Sequence, residues 1–315
     1  LCIIKRTTLN QRYYSLSEYF KEKYGFKIYK LGIDGGFSCP NRQEGKRGCL
    51  FCSEKGAGEF TPDRRKTIPE QIKEQKLNLQ HKDAVKFLAY FQNFTNTYAD
   101  PRHLKKLYDE ALEQKDIIGL SIATRPDCLG EDVLDLIEQY NKKECFVELG
   151  LQTTNEKTAS LIRRGYDNCF FYCSIENLNQ RKIKSVVHVI AGLPGEQKED
   201  FLKTIEDIKD LGIWGIKFHS LYIQKDSDLY LHYKKASFPL LEKEEYIDWV
   251  CDALERIPAS MVVHRLTGDA DKSLLYKPTW SADKLSVIGG IQKELKLRKS
   301  FQGKYYAQEG ERSKE

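Results

Sequence analysis

Short apolar runs and longer polar stretches with helical periodicity alternate along most of this chain. The apolar runs predict strands, and the polar stretches that follow them predict helices. Because parallel strands need a crossover between them, six such repeats predict an α/β fold with a parallel sheet. The predicted strands are Ile28–Ile33, Ala84–Tyr90, Ile117–Ala123, Cys145–Leu151, Ser185–Ala191 and Gly215–Leu221, and the predicted helices include Pro101–Glu113, Glu131–Tyr140 and Glu199–Leu211.

The strand pattern favours a sheet that is buried on both faces. Val186–Ala191 is a continuous apolar run, and right-handed crossovers curl such strands into a barrel or a partial barrel. The pattern alone leaves a closed eight-fold barrel and an open sheet as alternatives. After residue 223 the chain is less regular, with a predicted helix near Glu242–Arg256, a candidate seventh strand at Met261–Leu266 and a charged tail. We therefore divide the chain into an N-terminal extension (1–27), a core (28–223) and a C-terminal extension (224–315) that packs on the core as one structural unit.

Three unevenly spaced cysteines follow the first predicted strand. Cys39, Cys49 and Cys52 form a C-x9-C-x2-C pattern, which is one ligand short of a closed zinc site, and the nearest histidine, His81, lies far along the chain. A [4Fe–4S] cluster is normally held by four cysteines, so three would leave one iron free to bind a ligand that is not protein. The alternatives at this point are a zinc site and three buried thiols without a metal.

Several motifs occur in order along the chain. They are Leu31–Arg42, Tyr90–Gln92 with Phe94–Tyr98, Ser121–Asp127, Glu148–Gln152 and Gly192–Glu196. Together they resemble the radical S-adenosylmethionine (SAM) superfamily, and in particular the bacterial group related to the radical-SAM half of the Elongator catalytic subunit. The similarity extends from about residue 12 to about residue 303. It implies a partial (β/α)6 barrel with a C-terminal extension, a [4Fe–4S] cluster, and SAM that is reductively cleaved to a 5′-deoxyadenosyl radical.

The resemblance also implies roles for individual residues. Cys39, Cys49 and Cys52 would hold the cluster, with the aromatic Phe51 as part of the same motif. Tyr90–Gln92 follows the second strand, where the superfamily uses exposed backbone groups to hold the methionine amino group. The alternative is that Tyr90–Gln92 is the end of a strand with aromatic packing and has no role in cofactor binding.

The fourth strand and the segment after it contribute further predicted SAM contacts. Glu148 and Gln152 are four residues apart and therefore lie on one face of a strand, where they could bond the ribose hydroxyls and the methionine moiety. Arg164 follows Gln152 by twelve residues. This spacing is similar to that in oxygen-independent coproporphyrinogen oxidase-type enzymes, whose arginine pairs with the SAM carboxylate, and a planar guanidinium suits that carboxylate. Because Arg163 is adjacent, a solvated arginine pair is the alternative.

Two positions depart from the coproporphyrinogen oxidase-type pattern. Ala123 and His188 stand where acidic residues would be expected on the third and fifth strands. His188 is either a ribose ligand or a buried neutral histidine, and the Gly192–Glu196 turn would let backbone approach the adenine. The substrate side would be formed by Arg125, Lys217 and His219, which are the candidates for catalytic residues.

Composition favours an intracellular enzyme. The 315 residues are 40% apolar and 31% charged, and the nine cysteines show no disulfide framework. No apolar run reaches the roughly 20 residues that span a bilayer, and residues 1–4 are too short for a signal-peptide core. We expect a cytoplasmic protein with no membrane association, reduced by a donor such as flavodoxin or ferredoxin. Because the chain does not begin with methionine, we also expect a few N-terminal residues to be missing.

The substrate is predicted mainly from the resemblance. The Elongator-like radical-SAM fold acts on the wobble uridine of tRNA, and the basic and aromatic residues interleaved over 293–306 are typical of phosphate-binding and stacking surfaces. A solvated helix end explains that segment equally well. The chain lacks the acetyltransferase half, which implies another co-substrate or a downstream tRNA-modifying enzyme. The alternatives are a small metabolite or porphyrin-like substrate, and a non-catalytic cluster or zinc protein that binds RNA.

Overall fold

A computed structural model of the chain describes residues 12–43, 45–56, 60–80, 82 and 86–306. Its strands are β1 Ile28–Ile33, β2 Lys86–Phe91, β3 Ile117–Thr124, β4 Glu144–Gln152, β5 Lys184–Ala191, β6 Gly215–Ser220, β7 Ile223–Gln224, β8 Val262–Arg265 and β9 Leu275–Lys277. Seven parallel strands form the main sheet, in the order β1-β2-β3-β4-β5-β6-β8, and β7 pairs with β9 in a separate antiparallel ribbon. The six predicted strands and the candidate seventh are confirmed, and residues 84–85 of the second lie outside the described residues.

Helices follow the strands and cover the outer face of the sheet. Their starts are set by local capping: Asp100 accepts from the Arg102 N–H ahead of Pro101, and Glu242 and Glu245 form a capping box. The predicted helices are confirmed within three residues at each end. The helices are α1 Leu16–Tyr24, α2 Ile68–Asn78, α3 Pro101–Leu112, α4 Glu131–Glu138, α5 Glu156–Leu161, α6 Asn168–Gln180, α7 Lys198–Ile208, α8 Asp228–Lys235, α9 Lys243–Arg256 and α10 Lys284–Leu297.

The sheet is curled into a half-barrel that stays open between its two edge strands. In a flat sheet β1 and β8 would stand roughly 29 Å apart, since neighbouring strands are about 4.8 Å apart. Lys30 Nζ on β1 nevertheless lies 3.2 Å from His264 Nδ1 on β8. No ladder joins these two strands in the described residues. The predicted partial barrel is therefore confirmed, and inward-facing side chains of opposite edges meet in its interior.

Helix α1 closes the base of the barrel, where the strands begin. Phe20 is buried among the inward-facing side chains Leu88, Phe146 and Val186. Below them Glu144 accepts a hydrogen bond from Tyr24 Oη (2.8 Å). Within the described residues the base of the barrel is thus filled with side chains. We call the opposite end, where the strands end, the mouth.

The C-terminal segment 298–306 also lies at the base. Gln302 Nε2 donates to the carbonyls of Pro258 (2.7 Å) and Met261 (2.8 Å), both just before β8. Arg298 is bound by carboxylates, including Asp252 (2.6 Å) and Glu294 (2.8 Å). Strand order and helix packing thus place this segment at the end of the barrel opposite the strand ends. The interpretation of residues 293–306 as a phosphate-binding and stacking surface stays a prediction.

The described part of the chain contains no helix that is both long enough and apolar enough to cross a membrane.

Candidate active site at the barrel mouth

Ten of the thirteen predicted site residues line one cavity at the mouth. Parallel α/β folds bind ligands at the carboxyl ends of their strands. The loop after β1, the strands β2 to β5 with the residues that follow them, and the loop after α5 (Glu156–Leu161) bring these residues to that end. The structure therefore assembles side chains from six separate segments into one place. They are Cys39, Cys49, Cys52, Tyr90, Gln92, Arg125, Glu148, Gln152, Arg164 and His188.

The loop that carries the three cysteines is anchored to the barrel on both sides. At its start Asp34 accepts a hydrogen bond from Asn93 Nδ2 (2.8 Å), both side chains being buried. Further along, the Leu50 N–H donates to the Ile162 carbonyl (2.9 Å), and the turn Cys49–Cys52 is closed by a backbone hydrogen bond of 3.1 Å. These bonds fix the cysteine loop over the strand ends.

The arrangement of the three thiols fits a cluster better than a single metal ion. Burial raises the pKa of Cys49 to about 12, with Cys52 and Cys39 adding to the rise, so thiolates here need a cation. Among the described residues, no three side chains of Cys, His, Asp or Glu converge to ligate one ion. A cubane takes one thiolate on each iron, so its ligands surround a space. Cys39, Cys49 and Cys52 all line the same cavity, which is consistent with this arrangement.

A bulge at the end of β4 directs Gln152 into the cavity. The pairing of β4 with β5 shifts register between Gly150 and Gln152, and Gln152 has a positive φ of 66°. A Cβ on residue 150 would lie 2.6 Å from Gln152 Nε2. Glycine at 150 therefore allows the Gln152 amide to fold back over the strand and share the cavity with Glu148.

A layer of ionic side chains forms the floor of the cavity. Glu148 is fully buried, and its two carboxylate oxygens form ion pairs with Lys30 from β1 and Lys217 from β6. Ser121 Oγ donates to the same carboxylate, and His188 Nε2 lies 2.8 Å from it. Two ammonium groups thus share one carboxylate inside the barrel, directly beneath the cavity.

Burial and neighbouring charges shift the pKa values in this layer. The pKa of Glu148 lies well below its ordinary value: burial alone would raise it, and Lys217, Lys30 and His188 outweigh that effect. Burial lowers the pKa of His188 to about 4, with a contribution from Lys217. His188 is therefore neutral near pH 7, although it still lines the cavity and contacts Glu148. Both sequence-based interpretations of this histidine are compatible with its position.

Lys217 should make stability increase with pH above neutrality. Burial lowers its pKa from 10.5 to about 7, with Lys30 and Arg265 lowering it and Glu148 raising it. Between those values the unfolded lysine holds a proton that the folded one has released, so the free energy of unfolding should rise by up to about 1.4 kcal/mol per pH unit. Below pH 7 this contribution is constant and unfavourable to the folded state.

Urea unfolding at pH 7, 8 and 9 checks this expectation. The stability difference between wild type and Lys217→Met should grow in favour of wild type as the pH increases. Lys296→Met, at an exposed lysine, is the control and should show no such trend. A wild-type to Lys217→Met difference that does not change with pH would show that Lys217 titrates as an ordinary lysine.

Arg164 is a structural residue in this arrangement. It is 1% exposed, and its guanidinium donates to the carbonyls of Thr153 (2.8 Å) and Tyr166 (2.9 Å) and to Asn168 Oδ1 (2.9 Å). Further bonds reach the Leu151 carbonyl and Glu156. The predicted pairing with the SAM carboxylate stays a prediction, and it would require some of these bonds to break. The spacing along the chain could not show that backbone carbonyls surround this arginine.

Arg125 also holds loops together. It forms a bidentate ion pair with Asp127 (2.9 and 2.8 Å) and donates to the Arg164 carbonyl (2.8 Å). The Tyr166 ring lies between the two arginines, with guanidinium carbons 5.0 Å and 4.4 Å from its centroid. A catalytic role for Arg125 stays a prediction.

Three predicted residues are not among those that line the cavity. Phe51 packs, half-buried, on the cluster that contains Leu50 and Leu229. Lys217 lies in the floor beneath Tyr90, with its Nζ 3.1 Å from Tyr90 Oη. His219 lies 2.8 Å from the Ser220 carbonyl through Nδ1, and burial lowers its pKa to about 3. The cofactor or substrate roles of these residues stay predictions.

Lys30 and Tyr166 are among the residues of the site that sequence reasoning missed. Lys30 belongs to the floor. The sequence could have indicated this, because a charged side chain in the middle of an apolar strand is unusual and Lys30 lies on the same inward face as Gly32, two residues further along. Tyr166 lines the cavity and donates to the Gly150 carbonyl, and nothing in its local sequence distinguishes it from a surface tyrosine.

Comparison with known families decides the identity of the fold. The family model described as "Radical SAM superfamily" matches residues 39–208, more than half of the chain, and that of the "Radical_SAM C-terminal domain" matches residues 213–297. The chain belongs to the radical SAM superfamily. Its cofactors are accordingly a [4Fe–4S] cluster and SAM.

Three known proteins illustrate how far this radical SAM chain resembles others. The uncharacterized protein YtqA of Bacillus subtilis is 40% identical over 303 residues, which are 94% of this chain and 93% of YtqA. The solved structure of Elp3 from Methanocaldococcus infernus superposes with a TM-score of 0.65 at 16% identity, covering 85% of this chain and 63% of Elp3, and shows the fold alone. The tRNA uridine(34) acetyltransferase of Methanocaldococcus jannaschii is 23% identical over 161 residues, 50% of this chain and 29% of that protein.

Proposed function

We propose that this radical SAM enzyme modifies the wobble uridine of tRNA. The proposal rests on the similarity in fold to Elp3 and the sequence similarity to an archaeal enzyme named for uridine 34 of tRNA. Among the structural observations, the one that carries it is the cavity at the mouth, which is lined by the three cysteines and by Glu148 of the ionic floor.

The cysteine loop would position the cofactors at this cavity. When bound, a [4Fe–4S] cluster and SAM supply a one-electron cleavage that produces a radical able to remove hydrogen from carbon. Cys39, Cys49 and Cys52 would hold the cluster, and Tyr90–Gln92 and Gln152 would contact SAM from neighbouring strand ends. Glu148 and its cations would keep the floor rigid and polar beneath it, because each charge there already has a fixed partner.

The closed base determines how a substrate reaches the cavity. Helix α1 and the Phe146 layer fill the barrel below the floor, so substrate must enter through the mouth and cover it. A covered cavity also protects a reactive radical from solvent. A base in a single-stranded tRNA loop suits this requirement, since it can be splayed out at little unstacking cost while the rest of the RNA covers the rim.

A comparison of tRNA nucleosides tests the proposal. Total tRNA from a strain that lacks the gene should differ from parental tRNA at one modified uridine, and the purified enzyme with SAM and a reductant should convert the accumulated nucleoside. Enzyme with Ser at Cys39, Cys49 and Cys52 is the control and should convert nothing. Identical nucleosides in the two strains would contradict the tRNA proposal and favour a small-molecule substrate.

A further inference from the structure

A patch of aromatic and basic side chains borders the mouth and is outside the site described above. It is formed by α8, the chain just after it, and β9, and we call it the α8 rim. Its aromatic residues are Tyr230, Tyr233, Phe238 and Tyr276, and its basic residues are Lys234, Lys235 and Lys277.

The α8 rim is attached directly to the cysteine loop. The Leu229 N–H, in the first turn of α8, donates to the Leu50 carbonyl (2.7 Å), and Leu50 is the residue after Cys49. Asp228 forms ion pairs with Arg47 of the same loop (2.8 Å) and with Arg163. Anything bound on the rim would therefore lie beside the opening of the cavity.

The rings of the rim form a connected platform that is only partly buried. Tyr230 and Tyr276 are 5.0 Å apart between centroids, and Tyr233 lies 5.2 Å from Phe238 and 6.3 Å from Tyr276. Their inner edges pack on the apolar cluster that includes Leu229. The platform is thus held from below, while parts of its rings remain accessible for stacking.

The lysines of the rim carry charge that no nearby carboxylate neutralises. Lys234, Lys235 and Lys277 are exposed, and none of them forms an ion pair within the described residues. Lys277 Nζ lies 5.8 Å from the Tyr276 ring centroid. Unneutralised positive charge beside partly exposed rings is the combination that binds single-stranded nucleic acid.

We propose that the α8 rim binds a single-stranded loop of RNA beside the base that enters the cavity. This inference rests on the proposed function and identifies the surface that would hold the tRNA. The lysines would contact phosphates, and the Tyr233 and Tyr276 rings would stack on flanking bases. An acidic electron donor protein could form ion pairs with the lysines, but such an interaction would not require a platform of aromatic rings.

The salt dependence of tRNA binding tests the lysines of the rim. The variant Lys234→Ala/Lys235→Ala/Lys277→Ala should reduce the slope of log Kd against log salt by about 2, because each lost phosphate contact on a single strand removes about 0.7. The variant Lys296→Ala/Lys299→Ala/Lys304→Ala removes the same charge at the base of the barrel, and it should leave the slope unchanged.

A second variant tests the platform independently of charge. Tyr233→Leu keeps an apolar side chain on the underlying cluster and removes the ring, so tRNA affinity should fall between about fivefold and a hundredfold with no change in slope. Thermal unfolding midpoint and iron content confirm that each variant is folded.

Each remaining result contradicts the inference in a distinguishable way. Equal slopes for the rim and base variants, with tight wild-type binding, would overturn the inference and leave the proposed function standing. Normal tRNA binding by the rim variant, with lost reduction by flavodoxin but not by dithionite, would assign the rim to the electron donor. A wild-type enzyme that does not bind tRNA even at low salt would overturn both proposals.

Discussion

Serine at Cys39, Cys49 or Cys52 should abolish the cluster and, with it, all cleavage of SAM. Anaerobically reconstituted wild type is expected to hold about four irons per chain, and each variant should hold less than about one, because two thiolates bind a cubane too weakly to retain it. Formation of 5′-deoxyadenosine should fall at least about 1,000-fold in each variant, since the electron has no other route to SAM. Iron analysis and chromatographic detection of 5′-deoxyadenosine measure the two effects.

Cys128 provides a matched control for the cysteine variants. Its thiol is partly buried near the site, burial raises its pKa to about 12, and Cys39 is close enough to add to that rise. It is nevertheless not among the residues that line the cavity. Cys128→Ser should therefore keep both iron and activity. Loss of the cluster in Cys128→Ser, or its retention in the Cys39, Cys49 and Cys52 variants, would contradict the ligand assignment.

Arg164→Ala should destabilise the protein by about 3–5 kcal/mol. Removal of the buried guanidinium leaves the carbonyls of Leu151, Thr153 and Tyr166 without donors in a space that water cannot easily fill, and each unpaired buried group costs about 1–3 kcal/mol. The loop between β4 and α6 would lose its central connection. Urea unfolding of the apo protein gives the free energy difference without any contribution from cofactors.

Arg163→Ala is the control for Arg164, because the two arginines are adjacent. Arg163 is 42% exposed in its side chain and forms an ion pair with Asp228, so its loss should cost no more than about 1 kcal/mol. If Arg164→Ala instead unfolds like wild type and binds SAM more than tenfold more weakly, the sequence-based assignment to the SAM carboxylate is right and the structural role is wrong.

The strands could be predicted because each is a local apolar run. Ile28–Ile33 has the same ends in the sequence pattern and in the structure, and the last predicted strand, at 261–266, is β8 with one residue removed at each end. A buried parallel strand contrasts sharply with its polar flanks, so the pattern needs no information from the rest of the chain. The cysteine spacing was informative for the same reason.

The ionic floor could not be predicted because it depends on how the sheet curls. Lys30 and Lys217 are 187 residues apart in the chain, and only the curvature that brings β1 next to β6 and β8 places both on Glu148. The alternation of side chains along β1 shows that Lys30 faces the barrel interior, but it does not show which residues Lys30 contacts there. The same limit applies to the basic segment 293–306: its composition predicts a binding surface, and its place at the base could be seen only from the packing of the chain.

Formation of 5′-deoxyadenosine in the presence and absence of tRNA tests the central claim most directly. Reduced, cluster-loaded enzyme with SAM should release 5′-deoxyadenosine slowly alone and several-fold faster when unmodified tRNA covers the mouth, with the nucleoside change matching the product in amount. Enzyme that holds four irons and binds SAM, yet releases no 5′-deoxyadenosine under either condition, would contradict the account.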